Sequence, residues 1–86
     1  MSEELIARVT GVIAKTQKIP FESVTLDKTF ADLNIDSLDS VNILFALEDE
    51  FSIDIADDDA RKIGSLREMV DGVGKLLAAK NQIANQ

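Results

Sequence analysis

The sequence predicts an all-α fold: a small four-helix bundle of three long helices and one short one, with a long connection between the first two. Three observations predict it. Apolar residues recur at spacings of three and four in three separate stretches. No stretch alternates at period two for long enough to make a strand. Aromatics make up only 5% of the chain, all of them Phe, so the core must be aliphatic, which suits helices better than a β-sandwich. The apolar share of 45% is enough to fold, and no repeat, low-complexity tract or linker divides the 86 residues, so residues 1–86 read as one domain.

Helix one is expected from about Glu3 to Thr16. Ser2 is its N-cap, Glu3 and Glu4 favour its first turn, and Leu5, Ile6, Val9, Val12 and Ile13 share one face. Lys15 and Lys18 suit its C-terminal end, and Pro20 stops it. Residues 17–36 read as a packed connector, anchored by Phe21, Val24, Leu26, Phe30, Leu33 and Ile35, with a turn of helix near Thr29 to Leu33. Helix two should span about Ser37 to Phe51. A short helix three is expected near Asp57 to Ile63, with three Asp in its first turn. Helix four opens on a capping box, Ser65 with Glu68, and continues with Leu66, Met69, Val70, Val73, Leu76 and Leu77 on one face. Gly72 and Gly74 should loosen its second half, each costing roughly 1 kcal/mol relative to Ala. Residues 80–86 read as a frayed polar tail.

Composition excludes several classes of function. With no Cys there are no disulfides and no protein-borne thiolate chemistry, and with no His the commonest general base and zinc ligand are gone. A formal charge of −7 makes nucleic acid a poor partner. The longest apolar run, Ile43 to Leu47, is far short of the roughly 20 residues that span a membrane. The acidic N-terminus is unlike a signal peptide, so a cytoplasmic protein is expected, working as a monomer.

The charge is concentrated. Nine acids and no Lys or Arg lie between Asp36 and Asp59. Such a run is usually a solvated face; here it coincides with helix two, where it could steer a basic partner. On a wheel that helix shows two apolar stripes. Ile43, Leu44, Leu47 and Phe51 make a core stripe, and Leu38, Val41 and Phe45 lie roughly opposite. Either the connector folds over the second stripe, or it is an exposed docking strip rimmed by carboxylates, with Phe45 at its centre.

Ser37 stands at the head of this helix. A nucleophilic serine needs a base and an oxyanion hole, and neither His nor a nearby Lys is available. Locally, Ser37 or Asp36 reads first as a helix N-cap. The alternative is a hydroxyl that another enzyme modifies, since a phosphodiester there would meet free backbone N–H groups and the positive end of the helix dipole.

Phe30-Ala31-Asp32-Leu33-Asn34-Ile35-Asp36-Ser37-Leu38-Asp39-Ser40, followed by Ala46-Leu47-Glu48-Asp49-Glu50-Phe51, resembles the acyl carrier protein family, and the similarity runs from helix one through Leu77. The resemblance implies that a phosphopantetheinyl transferase (holo-synthase) moves 4′-phosphopantetheine from coenzyme A to Ser37. It implies a carrier and not an enzyme: acyl groups ride as thioesters on the imported thiol and are presented to ketosynthases, acyltransferases and related enzymes with basic patches. Partner docking would fall to Asp36, Leu38, Asp39, Val41, Phe45, Glu48, Asp49 and Asp57, and the acyl chain would lie against Ile55, Ala60 and Ile63. No metal is implied.

Four positions depart from the family pattern. Asn34 replaces a usual Gly, Asn42 a usual acid, Phe45 a frequent Met and Ala56 a common Pro. Asn tolerates left-handed backbone next best to Gly, so the turn should survive. Two pathways stay open: housekeeping fatty-acid synthesis, or a specialised lipid or polyketide route. An aminoacyl carrier, such as a D-alanyl or peptidyl carrier, is the nearest alternative, and a helical adaptor without a prosthetic group is a more distant one. A calcium loop starting at Asp54 fails, because its third, sixth and twelfth positions are Ala56, Asp59 and Ser65.

Overall fold

The structure is a computed structural model that describes the backbone of residues 2–84 and the side chains of residues 2–80. Four helices form: α1 (Glu3–Gln17), α2 (Ser37–Phe51), α3 (Asp57–Arg61) and α4 (Leu66–Ala84). A single 3₁₀ turn occupies Phe21–Ser23 in the connection. Among the described residues the only β pairing is an isolated bridge between Thr29 and Ser65.

Ser2 caps α1 as expected, accepting the Leu5 amide at 3.1 Å. The helix ends before Pro20 can stop it. Lys18 turns left-handed at φ 57°, and the amides of Lys18 and Ile19 both return to the Ala14 carbonyl. Val9 and Ile13 face the core, while Leu5, Ile6 and Val12 pack partly buried beside them.

The connector is held as structure rather than draped as loop. Val24, Phe30 and Ile35 are buried. Thr29 and Asp32 exchange bonds, each side chain accepting the other's amide at 3.0–3.1 Å, and this box starts the turn expected near Thr29 to Leu33. Asn34 ends that turn at φ 58°, the left-handed conformation for which it is the next best residue after Gly. The connector also pairs with the chain leading into α4: Phe30 donates to the Gly64 carbonyl and Leu66 to that of Lys28, each at 3.1 Å.

In α2, Ile43 and Leu47 are fully buried and Phe51 nearly so, with Leu44 half-buried. They share one core cluster with Leu66, Met69, Val70 and Val73 of α4, themselves at most 1% exposed, and with Val9 and Ile13 of α1. The capping box of α4 takes a shifted form. Ser65 Oγ accepts the Glu68 amide, while the Glu68 carboxylate accepts from the Ser65 hydroxyl and from the amide of Gly64.

Helix four runs unbroken through its glycines. At Gly74 an added Cβ would stand 3.2 Å from Leu5 Cδ2, so the missing side chain lets α1 approach closely. The helix also continues to Ala84, through most of the stretch whose composition predicts a frayed tail. Lys80 explains part of this, donating to the carbonyls of Ser52 (2.9 Å) and Phe51 (3.5 Å) at the end of α2. Residues 85 and 86 lie outside the described residues.

Candidate functional site

The head of α2 answers the question that the sequence left open between Asp36 and Ser37. Asp36 is the N-cap: its Oδ1 accepts the Asp39 amide at 2.8 Å, and its backbone is extended. Ser40 folds back on the same residue, donating its amide and its hydroxyl to the Asp36 carbonyl. Ser37 is therefore the first helical residue, exposed, with its side chain released from capping. The amides of Ser37 and Leu38 have no intrahelical acceptor at this end, so they point partial positive charge towards whatever the serine bears.

The second apolar stripe of α2 is exposed, because the connector packs against the core instead of folding over it. Leu38 is 70%, Phe45 64% and Val41 42% accessible. These are three of the four large hydrophobic residues most open to solvent among the described residues, and they share one helix face. Asp36, Asp49 and Asp57 are also exposed, and Asp39 is half-buried on the flank. Of the nine acids from Asp36 to Asp59, only Glu50 is ion-paired among the described residues, at 3.1 Å from Arg8. The remainder of the acidic field is uncompensated and available to a cationic surface.

Glu48 is placed differently from the other expected docking residues. It is half-buried, and its Oε2 accepts the backbone amide of Ile55 at 2.8 Å. Nothing in the residue order signals this contact, which spans seven positions across a helix end.

Of the three residues expected to line an acyl pocket, Ile55 and Ile63 border a groove of about 240 Å³ between α3 and α4. Ala60, half-buried in α3, is not among its lining residues. The other wall comes from Met69, Gly72, Val73 and Leu76 of α4. Sequence reasoning missed Met69, Val73 and Leu76 because periodicity marks them as core without saying which core residues edge a void, and it read Gly72 only as a weak point in the helix. Charged groups of Asp59, Lys62, Glu68, Asp71 and Lys75 surround the apolar floor. No group of three or more acidic residues is arranged to hold a metal ion among the described residues.

A helical bundle that presents an exposed serine on an acidic, apolar-striped helix, with no base beside it, defines a protein that is acted upon and carries. Comparison with known proteins names the family. The family described as phosphopantetheine attachment site matches residues 4–73. The mitochondrial acyl carrier protein of Dictyostelium discoideum is 42% identical over 78 residues, which cover 91% of this chain and 65% of that relative, so the chain spans just under two thirds of its length. An acyl carrier protein of Thermosynechococcus vestitus is 36% identical over 77 residues, covering 88% of this chain and 95% of the relative. The crystal structure of an acyl carrier protein from Thermotoga maritima superposes with a TM-score of 0.79 at 30% identity, covering 90% of this chain and 91% of that one. The chain belongs to the acyl carrier protein family. It is a carrier, not an enzyme in its own right; its prosthetic group is covalent phosphopantetheine, and it works through partner enzymes.

The residues present fit that group. An attachment at Ser37 would have an accessible hydroxyl, with the free amides of the opening turn of α2 beside it. No described helix is long and apolar enough to cross a membrane.

Proposed function

We propose that Ser37 bears the 4′-phosphopantetheine arm and that the chain carries acyl groups as thioesters between enzymes of fatty acid, lipid or polyketide synthesis. The arm supplies the thiol that a cysteine-free chain lacks. The observation that carries this reading is the division of labour at the head of α2: Asp36 takes the cap, so the Ser37 hydroxyl is free to be modified.

The chain's own residues then do three things. The first-turn amides stabilise the anionic linkage at Ser37. Leu38, Val41 and Phe45 offer apolar anchorage, framed by Asp36, Asp39, Asp49 and Asp57, to a transferase, ketosynthase or acyltransferase with a basic rim. The groove bordered by Ile55 and Ile63 accepts the acyl chain and withholds it from water. Contacts with successive partners should be short-lived, since a carrier must leave each enzyme.

Purified protein incubated with coenzyme A and a phosphopantetheinyl transferase should gain one arm by intact mass, and Ser37→Ala should gain none. An unchanged wild-type mass would sink the proposal. Loading the holo-protein with acyl against aminoacyl donors separates an acyl carrier from an aminoacyl carrier.

A further inference from the structure

We infer that Glu48 is a positioning residue for the cargo groove, acting through the backbone of Ile55, and not one of the charges that meet a partner. Three observations converge on it. Its carboxylate accepts the Ile55 amide at 2.8 Å, from half-buried surroundings. Its carbonyl at the same time accepts the Ile53 amide at 3.1 Å and that of Ser52, the left-handed residue that ends α2. Ile55 in turn borders the groove between α3 and α4.

Glu48 thus holds the chain between α2 and α3 at Ser52, Ile53 and Ile55. Among the described residues the one other side-chain bond to that segment is from Lys80 to the Ser52 carbonyl, at its start and away from Ile55. The N-cap of α3 is Ala56, which has no capping group, and α3 itself buries no residue in the core. Ile53 is sunk in the core at 8% exposure, Asp54 faces solvent and Ile55 returns to the groove, an alternation that only an extended segment provides. Without the Glu48 carboxylate, the Ile55 amide would need water, and the Ile55 side chain would lose its fixed place at the groove's edge. Of the other acids expected to dock a partner, Asp36 caps its own helix, and Asp39, Asp49 and Asp57 accept no bond from a distant backbone amide among the described residues.

Position and charge can be separated by substitution. Glu48→Gln keeps the reach and an acceptor oxygen but loses the charge. Glu48→Asp keeps the charge but is one methylene too short. The first readout is amide hydrogen exchange at Ile55 in the unmodified protein, which does not depend on the proposed function. Protection at Ile55 should fall about tenfold in Glu48→Asp and in Glu48→Ala and stay within about threefold of wild type in Glu48→Gln, as expected for losing or keeping one buried bond to a charged group. The second readout rests on the proposed acyl role: on octanoylation of the holo-protein, the methyl resonances of Ile55 and Ile63 should shift in wild type and Glu48→Gln and shift less in Glu48→Asp. Failure to load octanoate would count against the function and leave the exchange result standing. Equal Ile55 protection in all variants, or loss in Glu48→Gln matching that in Glu48→Asp, overturns the inference.

Discussion

Asp36 Oδ1 accepts the backbone amide of Asp39 at 2.8 Å, and this bond spans Ser37, the proposed attachment residue, without using it. Ser37 lies between the two partners, helical but with no part in the cap. The consequence is a clean separation of stability from attachment. Asp36→Ala should cost about 1 kcal/mol of unfolding free energy, whereas Ser37→Ala should stay within about 0.5 kcal/mol of wild type. Urea denaturation of the two variants measures this. Comparable losses would mean that the serine is structural after all.

The two stripes of α2 should respond oppositely to truncation. Leu47 is fully buried, so Leu47→Ala should destabilise by about 2–5 kcal/mol. Phe45 is 64% exposed, so Phe45→Ala should leave the thermal midpoint nearly unchanged while slowing modification by a transferase. Calorimetry and initial modification rates separate the two. A large stability loss from Phe45→Ala would show that the strip is covered.

Arg8 joins α1 to the end of α2 in two ways at once. Its guanidinium bonds Glu50 at 3.1 Å and lies 4.4 Å from the centroid of the Phe51 ring. The ion pair is about half exposed and is worth little alone; the ring contact adds a cation–π term. Arg8→Ala should therefore cost about 1 kcal/mol, and Glu50→Ala clearly less. Equal losses from both would place the whole effect in the ion pair.

Two carboxylates of the connector contribute to stability in acid. The Thr29 amide, then its hydroxyl, holds the Asp32 carboxyl below its ordinary value of 3.8. The Thr25 hydroxyl, and then the backbone, does the same for Asp27. A depressed folded-state pKa contributes stability that is fully present above 3.8 and is lost as pH falls through the lower folded value. Asp32→Asn should thus flatten the acid limb of the stability profile below that pH and leave its slope near neutrality unchanged. A steeper acid limb in the variant would contradict the sign.

Salt should stabilise the fold. The nine acids from Asp36 to Asp59 lie close in the chain, and only Glu50 is ion-paired among the described residues, so screening relieves their repulsion. NaCl should raise the melting temperature, and Mg²⁺ should do so at lower concentration. Because no described cluster is built to chelate a metal, the divalent response should rise gradually and without a stoichiometric break. A flat response to both salts would contradict this charge map.

Much of this was legible in the residues. Helical period located α1, α2 and α4, because burying one apolar face of each makes the core, while α3, which buries no residue, was marked by its run of three Asp. The same period exposed the double stripe of α2, and the absence of His and Cys left Ser37 with no partner for catalysis. Asn34 was readable as the left-handed residue of its turn.

Other features required the chain to be folded. Asp and Ser are equally good caps, so only the bond from Asp39 distinguishes Asp36 from Ser37. Whether the Leu38–Val41–Phe45 strip is covered depended on where the connector goes, and its pairing with the approach to α4 takes it elsewhere. Glu48 looked like its acidic neighbours until the Ile55 amide was brought beneath it.

The order of amino acids set which groups exist: a serine hydroxyl at the head of an acidic helix, no His or Cys to activate it, and enough aliphatic surface for one core. Distance between groups far apart in the chain was decided only by packing, since a local pattern records which face a side chain is on and never what it meets there. A transferase that modified any position other than Ser37 would undo the assignment on which these expectations stand.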